Sequence, residues 1–281
     1  MSLPGEVRPS PIAGRWYPGD PQRLAAVVDG YLADARPPEL HGEVVGLISP
    51  HAGYQYSGAT AAHAFKTVQG QHYDIVAVVS PFHDYPLAPI MTTVYPAYGT
   101  PLGKIPVDTQ ALTALVEALR ERKETISGIS RDSEHSLEIE LPFLQRALDG
   151  PFTLLPVMAA THQKQQLRSL GEALAKALTG RKALLVASSD LSHFYDERTA
   201  NKLDAEMLRQ ISAFSPAGAL NADQQGSGFA CGVAAIAAVL WAASALGANS
   251  VELLHHSTSA DQTHDRSSVV GYGAAAILKA P

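Results

Sequence analysis

The 281-residue chain has one cysteine, Cys231, so no disulfide can form within it, the cysteine usage expected of a reducing compartment. It also lacks a basic run: 21 lysines and arginines stand against 27 acidic residues, and the net charge is −6. Without clustered cations to neutralise phosphates, nucleic acid is not an expected partner. The opening "MSLPGEVRPSPIAGRWYPGD" has no charged head followed by an apolar stretch, so no secretory leader is expected and the cytoplasm is the expected location. The one long uncharged segment, residues 226–249, is mostly Ala and Gly, which predicts a helix buried inside an α/β protein and no membrane span. No Gly/Ser/Pro-rich linker and no repeat of solenoid length divides the chain, so residues 1–281 are expected to form one domain. The G-x-S-x-G and H-E-x-x-H motifs are absent, and "GTPLGK" falls short of a phosphate-binding loop.

With 46% hydrophobic residues, the chain can form a large core. Apolar, β-branched runs at residues 44–49, 74–80, 152–157, 183–189, 251–257 and 269–277 alternate with helical periodicity at 57–68, 108–122, 134–148, 163–178, 197–212 and 229–246. This alternation predicts an α/β fold with a central, mixed or mostly parallel sheet flanked by helices. Ser57 and Asp108 are the expected N-caps, and Pro142 predicts a kink or a late start in the 134–148 helix.

The polar residues just after the strands are more specific. In open α/β sheets the carboxyl ends of parallel strands form the rim of the ligand crevice. Here "SPHAGY" delivers His51, "SPFHDY" delivers His83, and "SSDLSHFY" delivers Asp190 and His193. Imidazoles and a carboxylate from separate strands suit zinc, iron or copper, and suit an acid/base set equally. Cys231 in "GFACG" is expected in the first turn of the apolar helix, where the helix dipole lowers a thiol pKa. "SEHSLEIELPF" adds His135, with Glu134 beside it and Glu138 spaced to fix its tautomer. Tyr54, Tyr56, Tyr85 and Tyr195 crowd the same loops, as pocket lining for an aromatic or peptide ligand or as cover over the core.

"PSPIAGRWYPGD", "SPHAGYQYSG", "EHSLEIELPFL", "SSDLSHF" and "GFACG" stand in the order seen in the Memo (mediator of cell motility) family, whose prokaryotic members are called AmmeMemoRadiSam system protein B. The resemblance covers essentially the whole chain. It implies a fold similar to the catalytic subunit of class III extradiol dioxygenases, which are non-heme iron enzymes. It also implies metal ligands at His51, His83 and Cys231 and pocket positions at Asp190 and His193. The chain has a cysteine where the dioxygenases have a glutamate ligand, and Ser80-Pro81-Phe82 before His83 where relatives commonly have a Gly-Pro or Gly-Thr start and a polar residue.

The leading expectation is therefore an iron or copper protein, with zinc as a further fit, acting in redox or dioxygenase-type chemistry. Asp190, His193 and His135 either support the metal ligands or act as acid/base groups, the ligand is a small molecule or peptide, and the family name suggests a functional link to a radical-SAM protein. The alternatives are a non-catalytic ligand-binding module on the same fold, and a hydrolase using Cys231 as nucleophile.

Overall fold

The structure, a computed structural model, describes residues 7–130 and 132–281; residues 1–6, part of the segment read for a leader, lie outside the described residues. The first part of the chain forms α1 (Pro21–Asp34), β1 (Glu43–Ser49), α2 (Tyr54–Lys66), β2 (Ile75–Ser80), β3 (Ile90–Thr93), β4 (Ala97–Thr100), β5 (Gly103–Pro106), α3 (Thr109–Glu121) and β6 (Ser127–Ile129). A 3-10 turn at Glu138–Glu140 leads into α4 (Leu141–Ala147), followed by β7 (Thr153–Ala159), α5 (Lys164–Leu178), β8 (Ala183–Ser188) and β9 (His193–Tyr195). The chain ends with α6 (Glu197–Ser212), α7 (Pro216–Gln224), α8 (Val233–Ala245), β10 (Ser250–Thr258), α9 (Ala260–Thr263) and β11 (Val269–Lys279).

The main sheet runs in the order β10-β11-β1-β8-β2-β7-β3-β6, with β9 paired to β11. Its centre is parallel: β1 pairs β8, β8 pairs β2, and β2 pairs β7. The β10–β11, β11–β1 and β3–β7 pairings are antiparallel, so the single α/β domain has a mixed sheet. Strands buried on both faces need apolar side chains at successive positions, which is why β2 reads IVAVVS with no polar alternation. One face packs Leu47, Val76, Val78 and Val186 against α1, α2 and α4. The other packs Ile48, Ala77, Val79 and Leu185 against α3, α5 and α8.

All six strand-like runs of the sequence are strands. Strands β3 to β6 and β9, of three or four residues each, are too short to carry a periodic signal. Asp108 caps α3 as expected, its carboxylate accepting from Ala111 N at 2.8 Å. Ser57 does not cap α2: the helix starts at Tyr54 behind Gly53, and the Ser57 hydroxyl, inside the helix, donates back to Ala52 O ahead of it. The 134–148 helix begins late, with Pro142 in the first turn of α4, where a missing N–H costs nothing. The uncharged 226–249 segment supplies α8, 13 residues packed against α5 and the sheet. No helix among the described residues is long and apolar enough to cross a membrane.

Candidate metal centre

Since β8 lies between β1 and β2 and parallel to both, their carboxyl ends lie side by side, and the loops carrying His51, His83 and Asp190 leave from one rim. Each Ser-Pro pair ends its strand, because proline has no N–H to continue the ladder. Beyond it, His51 N donates to Asp190 Oδ1 at 2.7 Å, which ties the β1 loop to the β8 loop. Phe82 turns into a small apolar cluster with Met91, Ile129 and Met158, so the unusual residue before His83 anchors its loop.

The rings of His51, His83 and His135 gather with centroids 4.7–5.6 Å apart. Cys231 Sγ lies 3.1 Å from His51 Nε2. One donor atom each from His51, His83 and Cys231 falls within 4.8 Å of the others. Two ligands 2.0–2.3 Å from one tetrahedral ion stand about 3.5 Å apart, so this spacing suits a shared ion. His83, Glu134 and His135 form a second close group. Its carboxylate is already occupied: Glu134 Oε1 accepts from His83 Nδ1 at 3.0 Å, His135 N at 2.9 Å and Ser136 N at 2.8 Å, while Oε2 accepts from His83 N at 2.6 Å. The second group therefore reads as the support that orients His83.

Above these rings a cavity of about 550 Å³ is lined by His51, His83, His135, Asp190 and His193, with Trp16, Tyr56, Phe194 and Tyr272 among its walls and Arg15 as a cation. Phe194 is 76% exposed and holds φ at 64°, a left-handed conformation costly for an aromatic residue and typical of functional loops. Of the four tyrosines singled out, only Tyr56 lines this cavity. Tyr54 is in the core, donating to Ile139 O, while Tyr85 and Tyr195 are exposed and do not line the cavity.

Burial, reinforced by the neighbouring imidazoles, lowers His51 well below its ordinary value. His135, also by burial, falls to about 4, and burial lowers His193 as well. At His83 burial is outweighed by the Glu134 carboxylate, which raises it. Burial works against the Glu134 charge too, but His83 and the backbone N–H groups hold that carboxyl below the usual range. Burial pushes Asp190 up to about 7, and its Oδ2 stands 4.0 Å from Nε2 of both His51 and His193.

Two expectations are corrected. Cys231 is not in the first turn of α8: it precedes the Gly232 cap, and its N–H is taken by Asp190 O at 3.2 Å. Burial and the Asp190 charge push the thiol up, well above its ordinary value, so a nucleophilic Cys231 would depend on the His51 ring, 3.1 Å from its sulfur, to take its proton. Glu138 does not set the His135 tautomer. It pairs with Arg8 at 2.5 Å and accepts from Ser10 and Tyr17, while His135 packs against Trp16 with ring centroids 4.2 Å apart.

Two supporting residues were not legible as such: Glu134, noted only as a neighbour of His135, and Glu140, two residues from the misassigned Glu138. Glu140 is 1% exposed, and burial pushes its carboxyl up to about 8. An acid with a raised folded pKa opposes folding once it must ionise. The adverse contribution is absent below its unfolded value, near 4.5, and grows until pH passes the folded one, near 8. Metal-free Glu140→Gln, which cannot ionise, is therefore expected to gain stability relative to the unsubstituted protein as pH rises over that window, by on the order of a few kcal/mol. Denaturant midpoints measured against pH check this, and a difference independent of pH contradicts it.

The sequence model of one family, described as Memo-like protein, matches residues 8–276. A MEMO1 family protein of Methanopyrus kandleri is 33% identical over 273 residues, covering 94% of this chain and 96% of that one. A MEMO1 family protein of Nitrosopumilus maritimus is 31% identical, with 95% and 98% covered, and one of Pyrobaculum aerophilum is 30% identical, with 95% and 97% covered. Among solved structures, a crystal structure of an uncharacterised Escherichia coli K12 protein aligns with a TM-score of 0.42 and 14% identity, covering 83% of this chain and 99% of that one. With the family match spanning nearly all of it, the chain belongs to the Memo-like family.

Proposed function

We propose that this protein is a mononuclear metalloprotein that holds iron or copper, with zinc also suited to its donors, through His51, His83 and Cys231. The observation that supports it is the convergence of three donor atoms within 4.8 Å from the ends of β1 and β2 and the segment before α8. The donor chemistry fits an ion. Each imidazole has Nδ1 engaged by a protein partner at 3.0 Å, leaving Nε2 as the ligand atom, and a thiol gives up its proton to a metal. A sulfur ligand beside two nitrogens favours copper(I) or zinc, and the imidazoles also suit iron.

When bound, the metal would supply Lewis-acid or one-electron chemistry at the floor of the pocket. The rest falls to the chain. Trp16, Tyr56 and Tyr272 wall a ligand in, and Asp190, whose carboxyl burial pushes up to about 7, stands 4.0 Å from His51 and His193, placed to take and return a proton. The reaction class this supports is a metal-dependent redox or dioxygenase-type conversion of a small molecule in the cytoplasm. The test is metal content after anaerobic purification: the unsubstituted protein carries near-stoichiometric metal, and His51→Ala and Cys231→Ser carry little. Equal, substoichiometric metal in all three sinks the proposal.

A binding module without turnover is favoured by one observation, the aromatic rim in which Tyr56 is 39% and Phe194 76% exposed. Peptide or small-ligand binding that survives both chelation and His51→Ala supports that reading over the first.

A further inference from the structure

Three polar groups converge on the Ser188 hydroxyl at the end of β8. The Ser136 carbonyl oxygen is 2.6 Å away, Glu140 Oε1 2.7 Å and His51 Nδ1 3.0 Å. Ser188, Ser136 and Glu140 are at most 1% exposed, so the contacts must satisfy one another. A serine hydroxyl offers one proton and two lone pairs, and a carbonyl oxygen can only accept. The Ser188 proton therefore goes to Ser136 O, and both remaining partners must donate to Ser188. If Glu140 were ionised, two oxygens would face each other at 2.7 Å with no proton between them, or the Ser136 carbonyl would be left so. One arrangement places a proton in every contact: Glu140 O–H to Ser188, Ser188 O–H to Ser136 O, and His51 Nδ1–H to Ser188.

We infer that Glu140 is a positioning residue for His51, a neutral carboxylic acid that acts through Ser188 to hold the imidazole as its Nδ1–H tautomer, with the Nε2 lone pair facing Cys231. Burial favours the same protonation state. The two imidazoles of the site are then oriented by opposite means: His83 by an ionised carboxylate in direct contact, His51 by an un-ionised acid through a hydroxyl. The assignment concerns the metal-free chain and stands independently of the metal reading.

The tautomer is read from ¹⁵N chemical shifts of metal-free protein labelled at histidine, with the His51 signals assigned by their loss in His51→Gln. In the unsubstituted protein Nδ1 is protonated and Nε2 is not; the reverse overturns the inference without need of any further variant. In Glu140→Gln the side-chain amide N–H donates to Ser188 as the acid did, so the tautomer is retained. In Ser188→Ala the Nδ1–H loses its partner and the two tautomers mix. Infrared spectra at neutral pH show a protonated-carboxyl band that Glu140→Gln removes. Zinc affinity, as a second readout, stays within about threefold in Glu140→Gln and falls about 10–100-fold in Ser188→Ala. A Glu140→Gln variant that mixes the tautomers as Ser188→Ala does, or no carboxyl band assignable to Glu140, refutes a neutral donor.

Discussion

Glu134→Ala is expected to abolish tight metal binding and to destabilise the metal-free fold by roughly 3–5 kcal/mol, because several buried donors lose their shared acceptor at once. The carboxylate takes four N–H groups: the main-chain N–H of His83, His135 and Ser136, and the His83 ring. Its own backbone is held as well, with its N–H donating to Asp132 Oδ1 at 2.9 Å and its carbonyl accepting from Arg8 at 2.5 Å. Glu134→Gln is expected to be nearly as damaging. A glutamine must turn its NH₂ either toward His83 N–H or toward the three donors on the other oxygen, and each choice sets donor against donor. Chemical denaturation and metal-competition titration measure the two effects; a Gln variant close to the unsubstituted protein in both contradicts this reading of Glu134.

Gly232→Ala is the second large effect expected. A Cβ at this position would lie 2.3 Å from Ser188 O and 2.7 Å from Ser189 Cβ, the backbone and side chain at the end of β8. Backbone cannot yield as a flexible side chain does, so α8 must back away from the strand and carry Cys231 with it. Overpacking of this kind costs about 1–3 kcal/mol, and more where the obstacle is main chain, which is roughly 2–4 °C in Tm per kcal/mol for a domain of this size. Gly30→Ala, at a position in α1 with nothing within 4 Å, serves as the control of opposite sign and is expected to stabilise by about 0.5–1 kcal/mol. Calorimetry of both variants, with metal content for Gly232→Ala, checks the pair.

What was legible in the sequence follows from how far each signal reaches along the chain. β2 and β8 announce themselves because burial on both faces demands an unbroken apolar run, and the histidines after β1 and β2 stand out because those runs end abruptly. α1 and α7 are absent from the six helical segments read from the sequence, although Asp20-Pro21 and Ser215-Pro216 are cap-and-proline starts. The misassignments around Glu134 to Glu140 have another cause. Helical spacing suggested Glu138 for His135, but this stretch is an extended loop and a 3-10 turn, so the one-turn rule did not apply. Arg8, which claims Glu138, lies 130 residues away in the chain, and no local pattern carries that information. Cys231 shows the same limit, since burial and the distant Asp190 push its thiol up, and it stands before the helix cap where the local pattern suggested the first turn.

The order of the strands also sets when the site can exist during synthesis. His83 and Glu134 are 51 residues apart, whereas His51 and Asp190 are separated by 139 and His51 and Cys231 by 180. β8 must insert between two strands made long before it, so the His51 half of the site waits for most of the chain. At roughly 5–20 residues per second, a ribosome exposes the His83–Glu134 pair many seconds before the cysteine. A nascent chain therefore carries an incomplete donor set, and under the proposed metal site an ion would enter only after the sheet has closed, selected by a finished fold and not the seed around which it forms.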